Sequence, residues 1–302
     1  MVVVLAFAAN VLVATAKTVA AVITGSASLV AEAAHSWADA GNEIFLLVAD
    51  RRSSRGRDSS HPLGHGREAY VWGLFAAFGV FTVGAVVSIA NGIQELITPE
   101  PTTNFLLAYV VLGVSAVLEG ASFAQSVVGA RRAARGVKRD TIDYVLNGSN
   151  ATLRAVVAED SAALAGLAVA ALGIGLHQAT GQPAFDAGAS ILIGLILAGV
   201  ALLLIDRNRR YLVGLEPPDA LRRQVGRTLL ESPEIERVTY LHLEFVGPSE
   251  LFLVAAVDLT GDAAEAEVAR RLRRLEQEIG NDRKLQTVVL TLSVSDEESL
   301  TF

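Results

Sequence analysis

With 302 residues, 52 % hydrophobic and 19 % charged side chains and a mean hydropathy of +0.44, the chain is too apolar for an ordinary water-soluble domain and reads as a membrane protein. Cysteine is absent, which excludes a disulfide framework and thiolate metal sites. The net charge of −7 is carried by the region after about Arg210, and the basic footprint of a nucleic-acid binder is missing.

Crossing the hydrocarbon core takes about 20 mostly apolar residues. Six stretches qualify: 3–23, 28–49, 69–96, 105–128, 151–176 and 187–205. The first is too long for the apolar core of a signal peptide and is followed by no small-residue cleavage site, so it is read as a retained helix. Basic residues set the orientation. Arg51, Arg52, Arg55, Arg57 and Arg67 follow the second stretch; Arg131, Arg132, Arg135, Lys138 and Arg139 follow the fourth; Arg207, Arg209 and Arg210 follow the sixth. The connections "TGSAS", "TPEPTTN" and "HQATGQPAFD" hold no Lys or Arg. An excess of positive charge marks the cytoplasmic side, so both termini and the basic connections are expected there. Asn147 and Asn150 each begin a glycosylation sequon, but on that side no glycan is expected.

Beyond Arg210 the pattern changes. "PPDALRRQVGRTLLES" predicts an amphipathic helix, "VTYLHLEFV" and "ELFLVAAVDL" alternate as strands, "DAAEAEVARRLRRLEQEIG" predicts a second helix ending at Gly280, and "LQTVVLTLSV" predicts a third strand. The expected organisation is a six-helix α-helical membrane domain over 1–210 and a small cytoplasmic α+β domain over 211–302, with "SDEESLTF" as an acidic tail.

The second stretch contains "EAAHSWADAGNE", Glu32 to Glu43. His35 and Asp39 lie one helical turn apart on one face, and Asn42 shares it. An ionisable group at mid-bilayer costs about 2.5–3.5 kcal/mol on insertion scales, so it needs a cavity, a partner or an ion. Imidazole with carboxylate suits a borderline divalent cation such as Zn²⁺; a His–Asp hydrogen bond gluing helices is the other reading of the same spacing. The fifth stretch favours the ion. Glu159 and Asp160 sit there at a depth comparable to Asp39. Neighbouring helical residues point about 100° apart, so one is expected to be a ligand and the other to face another helix or support the site.

On these residues the chain resembles the cation diffusion facilitators. The resemblance spans nearly the whole chain: Asn10 and Lys17, "GSASLVAEAAHSWAD", "HPLGHGR", and six helices followed by a small cytoplasmic ferredoxin-like α+β domain. It implies a homodimeric exporter of Zn²⁺ or another divalent metal, driven by proton antiport. The family's transport site takes two residues from the second helix and two from the fifth, three residues separating the members of each pair. His35 and Asp39 match the first pair, and Asp160 matches the second member of the other. Its first member falls on Val156, which cannot ligate. This departure and "AEDSAALAG" look like the branch that includes zinc transporter 9. Glu159, Asn42 or a water is left to fill the fourth position, and a site with one nitrogen is less committed to Zn²⁺ and admits Mn²⁺.

Other polar groups carry weaker signals. Asp58, His61 and His65 in "DSSHPLGHGR" offer a second metal site in the first cytoplasmic loop, or a Pro-Gly turn in which His61 bonds backbone. In "TYLHLEF", Leu241, Leu243 and Phe245 form one face; His242 lies on the other and is not expected to bind metal. His177 lies in an external connection. Lys17 needs a buried partner, with Glu32, Glu43 and Glu119 as candidates. Asp186 opens the sixth helix, where a carboxylate favours the N-terminus.

The expectation is therefore a transporter and not an enzyme: no His-Glu-x-x-His sequence or nucleophile constellation is present. It would export a divalent metal, Zn²⁺ first, from the cytoplasm in exchange for protons, with no cofactor. Alternatives are an Mn²⁺, Fe²⁺ or Co²⁺ transporter of the same fold, or a transport-inactive partner subunit. The expected location is a bilayer crossed several times, in a bacterial plasma membrane, with an organellar membrane as the other option.

Overall fold

The structure, a computed structural model, describes residues 2–99, 102–137, 139–281 and 285–302, without the side chains of 2–6 and 9. Lys138 of the second basic connection thus lies outside the described residues. The chain divides into two compact units, Met1–Asp50 with Val71–Arg209, and Arg51–Tyr70 with Arg210–Phe302.

The first unit is helical. α1 (Val2–Thr24) stops where Gly25 adopts φ +68, a left-handed conformation that costs glycine little. The Gly25 amide closes that turn on the Ala21 carbonyl at 2.9 Å. α2 (Ala27–Ser53) follows. Its first-turn amides, which have no partner within the helix, meet Asp186, whose carboxylate accepts from Ala27 N at 2.7 Å, from Ser28 N at 3.3 Å and from Ser28 Oγ. Asp186 stands in the first turn of its own helix, as the sequence indicated, but its bonds go to a different helix. The positive end of α2 is where a carboxylate is most favourable.

α3 (Glu68–Ile97) carries a π-helical segment over Val80–Val86. α4 (Phe105–Gly136) is capped by Asn104, whose side chain accepts from Leu107 N. It runs on past the expected end near 128, so Arg131, Arg132 and Arg135 lie on its last turns. A short α5 (Thr141–Asn147) and its Asp140 cap precede α6 (Ala151–Thr180), capped by Asn150, and α7 (Ala184–Val213). Four helices, α3, α4, α6 and α7, are long and apolar enough to cross a membrane among the described residues. Six spans are thus not confirmed: the described apolar part of α1 is the shorter Asn10–Thr24, and α2 is diluted by Glu32, Asp39, Glu43 and Asp50.

Packing in this unit inverts that of a water-soluble core. The buried cluster is rich in alanine, including Ala20, Ala31, Ala38, Ala162, Ala170 and Ala201, with Leu29, Leu167, Ile193 and Leu197 between them. Large apolar side chains face outward; Leu12, Val22, Leu106 and Val117 are each at least 70 % exposed. Small residues let helices approach closely where lipid gives no hydrophobic drive between them, and the outward groups suit lipid tails.

The second unit contains α8 (Asp219–Leu230), β1 (Ile235–Gly247), β2 (Glu250–Leu259), α9 (Glu265–Gly280) and β3 (Leu285–Leu292). The three-stranded sheet is mixed: β1 and β2 form an antiparallel hairpin, and α9 carries the chain across to β3, parallel to β2. Alternation placed Leu241, Leu243 and Phe245 on one face, and all three are buried; Leu241 and Leu243 share a core with Leu253, Val257, Leu275 and Leu290, while Phe245 meets the Tyr211 ring with centroids 5.6 Å apart. The segment 51–70 belongs to this unit. Arg67 pairs with Glu244 of β1, Arg57 Nη2 donates to Gln286 Oε1 at 3.4 Å, and Tyr70 stacks on Tyr211 with ring centroids 4.9 Å apart.

Candidate metal centres

One face of α2 presents Glu32, His35, Asp39, Asn42 and Glu43 to the neighbouring helices, with spacings of three and four that stack them along it. His35 is fully buried, and its Nδ1 lies 3.4 Å from Asp39 Oδ1. Neither ring nitrogen of His35 has a hydrogen-bond partner, nor does Asp39 Oδ1. From α6, Glu159 and Asp160 diverge as adjacent helical residues must. Glu159 turns to α2 and accepts a hydrogen bond from Asn42 Nδ2. Asp160 turns to α4 and accepts from Ser122 Oγ at 3.2 Å. Glu159 Oε1, Asp160 Oδ2, Asn42 Oδ1 and Glu43 Oε2 are buried without partners. Buried polar atoms are almost always paired, so this concentration of free lone pairs on carboxylates and one imidazole marks a place suited to a cation.

The helix-borne groups include one close pair, His35 and Asp39, but no converged set of three. Among the described residues, the set of three whose ligand atoms lie within 4.8 Å of one another is Asp58, His61 and His65, and no transmembrane set meets that spacing.

Sequence reading left the partner of Lys17 open among three acids and missed other partners. Lys17 had three candidates; it takes Glu32 at 3.0 Å and Glu119 at 3.4 Å, whereas Glu43 accepts from Asn10 Nδ2 at 2.9 Å. Lys17 and Glu32 are both wholly buried. Gly166 on α6 makes the room: a Cβ there would collide with Glu32 Oε1. The Asn42–Glu159 and Ser122–Asp160 contacts had no sequence signal beyond polarity inside an apolar run.

The loop set is assembled by its own turns. Asp58 accepts from the backbone amides of Ser60 at 2.8 Å and His61 at 2.7 Å, and Gly64 closes the Pro-Gly turn at φ +77. Its carboxylate then meets His61 Nδ1 at 3.1 Å and His65 Nε2 at 2.9 Å, with ring centroids 3.9 Å apart. Hydrogen bonds from His65 first, and His61 next, hold the Asp58 carboxyl well below the usual carboxylate range. The turn and the cluster therefore coexist. His242 lies half-exposed, 3.8 Å from Glu244 Oε2. His177 is buried against the edge of Phe105 at 5.6 Å.

A polytopic helical membrane unit with buried carboxylates and an imidazole on facing helices, joined to a small α+β unit, is the architecture of a cation carrier. Residues 3–213 match the cation efflux transmembrane domain, and the chain belongs to that cation efflux, or cation diffusion facilitator, family. It is a family of transporters and not of enzymes, and the chain stands near its SLC30A9 branch. The chain is 35 % identical over 248 residues to metal tolerance protein C4 of Arabidopsis thaliana, covering 82 % of this chain and 54 % of the relative. It is 34 % identical over 247 residues to the mitochondrial proton-coupled zinc antiporter SLC30A9 of Xenopus laevis, covering 81 % and 44 %. For the human protein of that name the match is 30 % over 279 residues, covering 91 % and 49 %. The chain thus spans about half the length of these curated relatives. Their names include mitochondrial proteins, so the expected bacterial plasma membrane finds no support, and membrane residence alone is stated.

Proposed function

We propose that this chain exports a divalent metal, Zn²⁺ foremost, across its membrane in exchange for protons, and that His35, Asp39 and Asp160 bind the ion in transit. The carrying observation is the group of buried, unpartnered ligand atoms on these three residues. Two relatives named as proton-coupled zinc antiporters add support for Zn²⁺ and for protons. Glu159, tied to Asn42, supports the site from behind. The chain is read as six-spanning, with residues 1–210 in the bilayer, 211–302 and both termini in the cytoplasm, and as a homodimer.

The coupling follows from the donors. Neutral imidazole and ionised carboxylates offer lone pairs to the metal, and protons compete for the same lone pairs. Protons arriving from the far side displace the ion there, and their loss inside restores the ligands, while the helices rock around a midplane site. A second reading is specific to the donor set: one nitrogen among several oxygens admits Mn²⁺ beside Zn²⁺. We also assign Asp58, His61 and His65 as a second, non-transported metal site, supported by their convergence within 4.8 Å.

The test is metal uptake into proteoliposomes holding the full chain, with Zn²⁺, Mn²⁺, Fe²⁺, Co²⁺ and Cd²⁺ offered with and without a pH gradient. Gradient-dependent Zn²⁺ flux is expected. Flux indifferent to the gradient sinks the proton exchange, and absence of flux for every ion sinks the transport reading.

A further inference from the structure

The membrane unit contains an ion triad that the proposed metal site does not include. Lys17 of α1 sits between Glu32 of α2 and Glu119 of α4. One ammonium faces two carboxylates, and the two contacts are unequal. Glu32 is wholly buried and lies at 3.0 Å from Nζ; Glu119 is 17 % exposed and lies at 3.4 Å. In a low-dielectric interior an uncompensated carboxylate is expensive. Lys17 can neutralise one of the two, so the more loosely held Glu119 is the surplus anion.

Its position gives that surplus a use. Ser122, three residues on and therefore on the same face of α4, donates to Asp160. Glu119 therefore stands on the side of α4 that meets both Lys17 of α1 and, through Ser122, Asp160 of α6. Glu159 is tied to Asn42 on the α2 side through one oxygen, its other oxygen having no partner, and Val156 offers no donor atom. His35, fully buried, keeps both ring nitrogens free of hydrogen bonds.

We propose that Glu119 is the fourth ligand of the transport site, held aside by the Lys17 ammonium until a divalent cation draws its carboxylate over to join His35, Asp39 and Asp160. The proposal rests on the site assigned under Proposed function. Lys17 is then a tethered cation that stands in for the metal while the site is empty, and it keeps Glu32 as its permanent partner when Glu119 leaves. The carboxylate moves between two cations, so it is never left in the membrane interior without one.

The test is equilibrium binding of Co²⁺ and Zn²⁺ to the purified full chain, with the loop set removed by His61→Ala and His65→Ala so that the membrane site alone is read. Co²⁺ is included because its visible absorption reports the donor atoms. Glu119→Gln should weaken binding by about 10-fold or more, as loss of groups at metal sites typically does, and should change the Co²⁺ spectrum; Glu119→Asp should restore much of both. Lys17→Met with Glu32→Gln, which removes the buried pair together and leaves Glu119 as the one carboxylate without a cation, should bind metal at least as tightly as the parent because Glu119 is no longer held aside. An unchanged spectrum and affinity in Glu119→Gln, while Asp39→Ala abolishes binding, overturns the role of Glu119 and leaves the transport site standing. Weaker binding in the Lys17→Met, Glu32→Gln protein overturns the holding role of Lys17. If Asp39→Ala also binds normally, the site assignment itself fails, and this proposal with it.

Discussion

The two candidate metal centres are built in opposite ways. Asp58, His61 and His65 lie within eight consecutive positions and are brought together by one turn, so their ligand atoms already converge within 4.8 Å. His35, Asp39 and Asp160 come from α2 and α6 and are placed by helix packing; His35 Nδ1 and Asp39 Oδ1 lie 3.4 Å apart, but the three do not converge as the loop set does, and each keeps a buried atom without a hydrogen-bond partner. The loop centre has two imidazoles, one half-exposed; the membrane centre has one imidazole among carboxylates. A preassembled, nitrogen-rich set holds its ion. A spread, oxygen-rich set that must close on its ion and open again suits cargo that has to leave. The contrast fits the retention proposed for one centre and the transit proposed for the other.

The strongest way to break this contrast is to disable each centre in turn. Asp39→Ala or Asp160→Ala should abolish metal flux in proteoliposomes while the protein still purifies as a folded species. His61→Ala with His65→Ala should retain flux but lose one equivalent of bound metal after chelation and dialysis. Loss of flux in the loop variant, with the membrane variants active, reverses the two roles.

Acid distinguishes the centres next. The hydrogen bonds from His65 and His61 favour ionised Asp58. Their contribution is therefore complete above the ordinary aspartate value of about 3.9, and it is lost as pH falls through the lower value of the folded loop. His65→Ala removes the larger of the two causes, so Asp58 should titrate nearer to 3.9, read from the carboxyl ¹³C shift of labelled aspartate. An Asp58 titration unmoved by His65→Ala means that the two side chains do not meet in solution.

How far the sequence could have led differs between the same two regions. The loop cluster was visible because its members are neighbours in the chain. The strands were equally visible: period-two alternation put Leu241, Leu243 and Phe245 on one face, and that face is buried. The helices showed as apolar runs, but their ends did not. α4 continues to Gly136 because Arg131, Arg132 and Arg135 are good helix formers, and positive charge bounds a span without ending a helix. Partner choice was hidden wherever it crosses between helices. Lys17 had three acids in reach by sequence, and only packing selects Glu32 and Glu119 over Glu43. Asp186 reads as a cap for its own helix, and only the fold puts Ala27 and Ser28 of α2 in front of it. The divergence of Glu159 and Asp160 was legible as helical geometry; that Asn42 and Ser122 would be their partners was not.

A smaller effect sharpens the comparison of donors. Val156→His places a second imidazole one turn before Asp160 and makes the membrane centre resemble the loop centre. Zn²⁺ should then gain on Mn²⁺ in competition transport, by a factor of about 10, since nitrogen donors favour the former. An unchanged preference means that position 156 does not face the ion, and the alignment of α6 with the family's ligand pair is wrong.

The smallest expected effect concerns how the loop is held. Arg67 follows His65 by two positions and pairs with Glu244 of β1. Both side chains are partly exposed, at 40 % and 24 %, so the pair contributes at most about 1 kcal/mol. If the turn alone assembles the ligands, Arg67→Gln should leave loop metal affinity almost unchanged, because Asp58 is fixed by the amides of Ser60 and His61 rather than by the sheet. If the sheet orients His65, affinity should fall by no more than about 5-fold, the equivalent of 1 kcal/mol. Calorimetry of loop metal binding in a background carrying Asp39→Ala reads the difference. A loss far beyond that range shows that the loop centre is no more preassembled than the membrane one, and the structural contrast between retention and transit disappears with it.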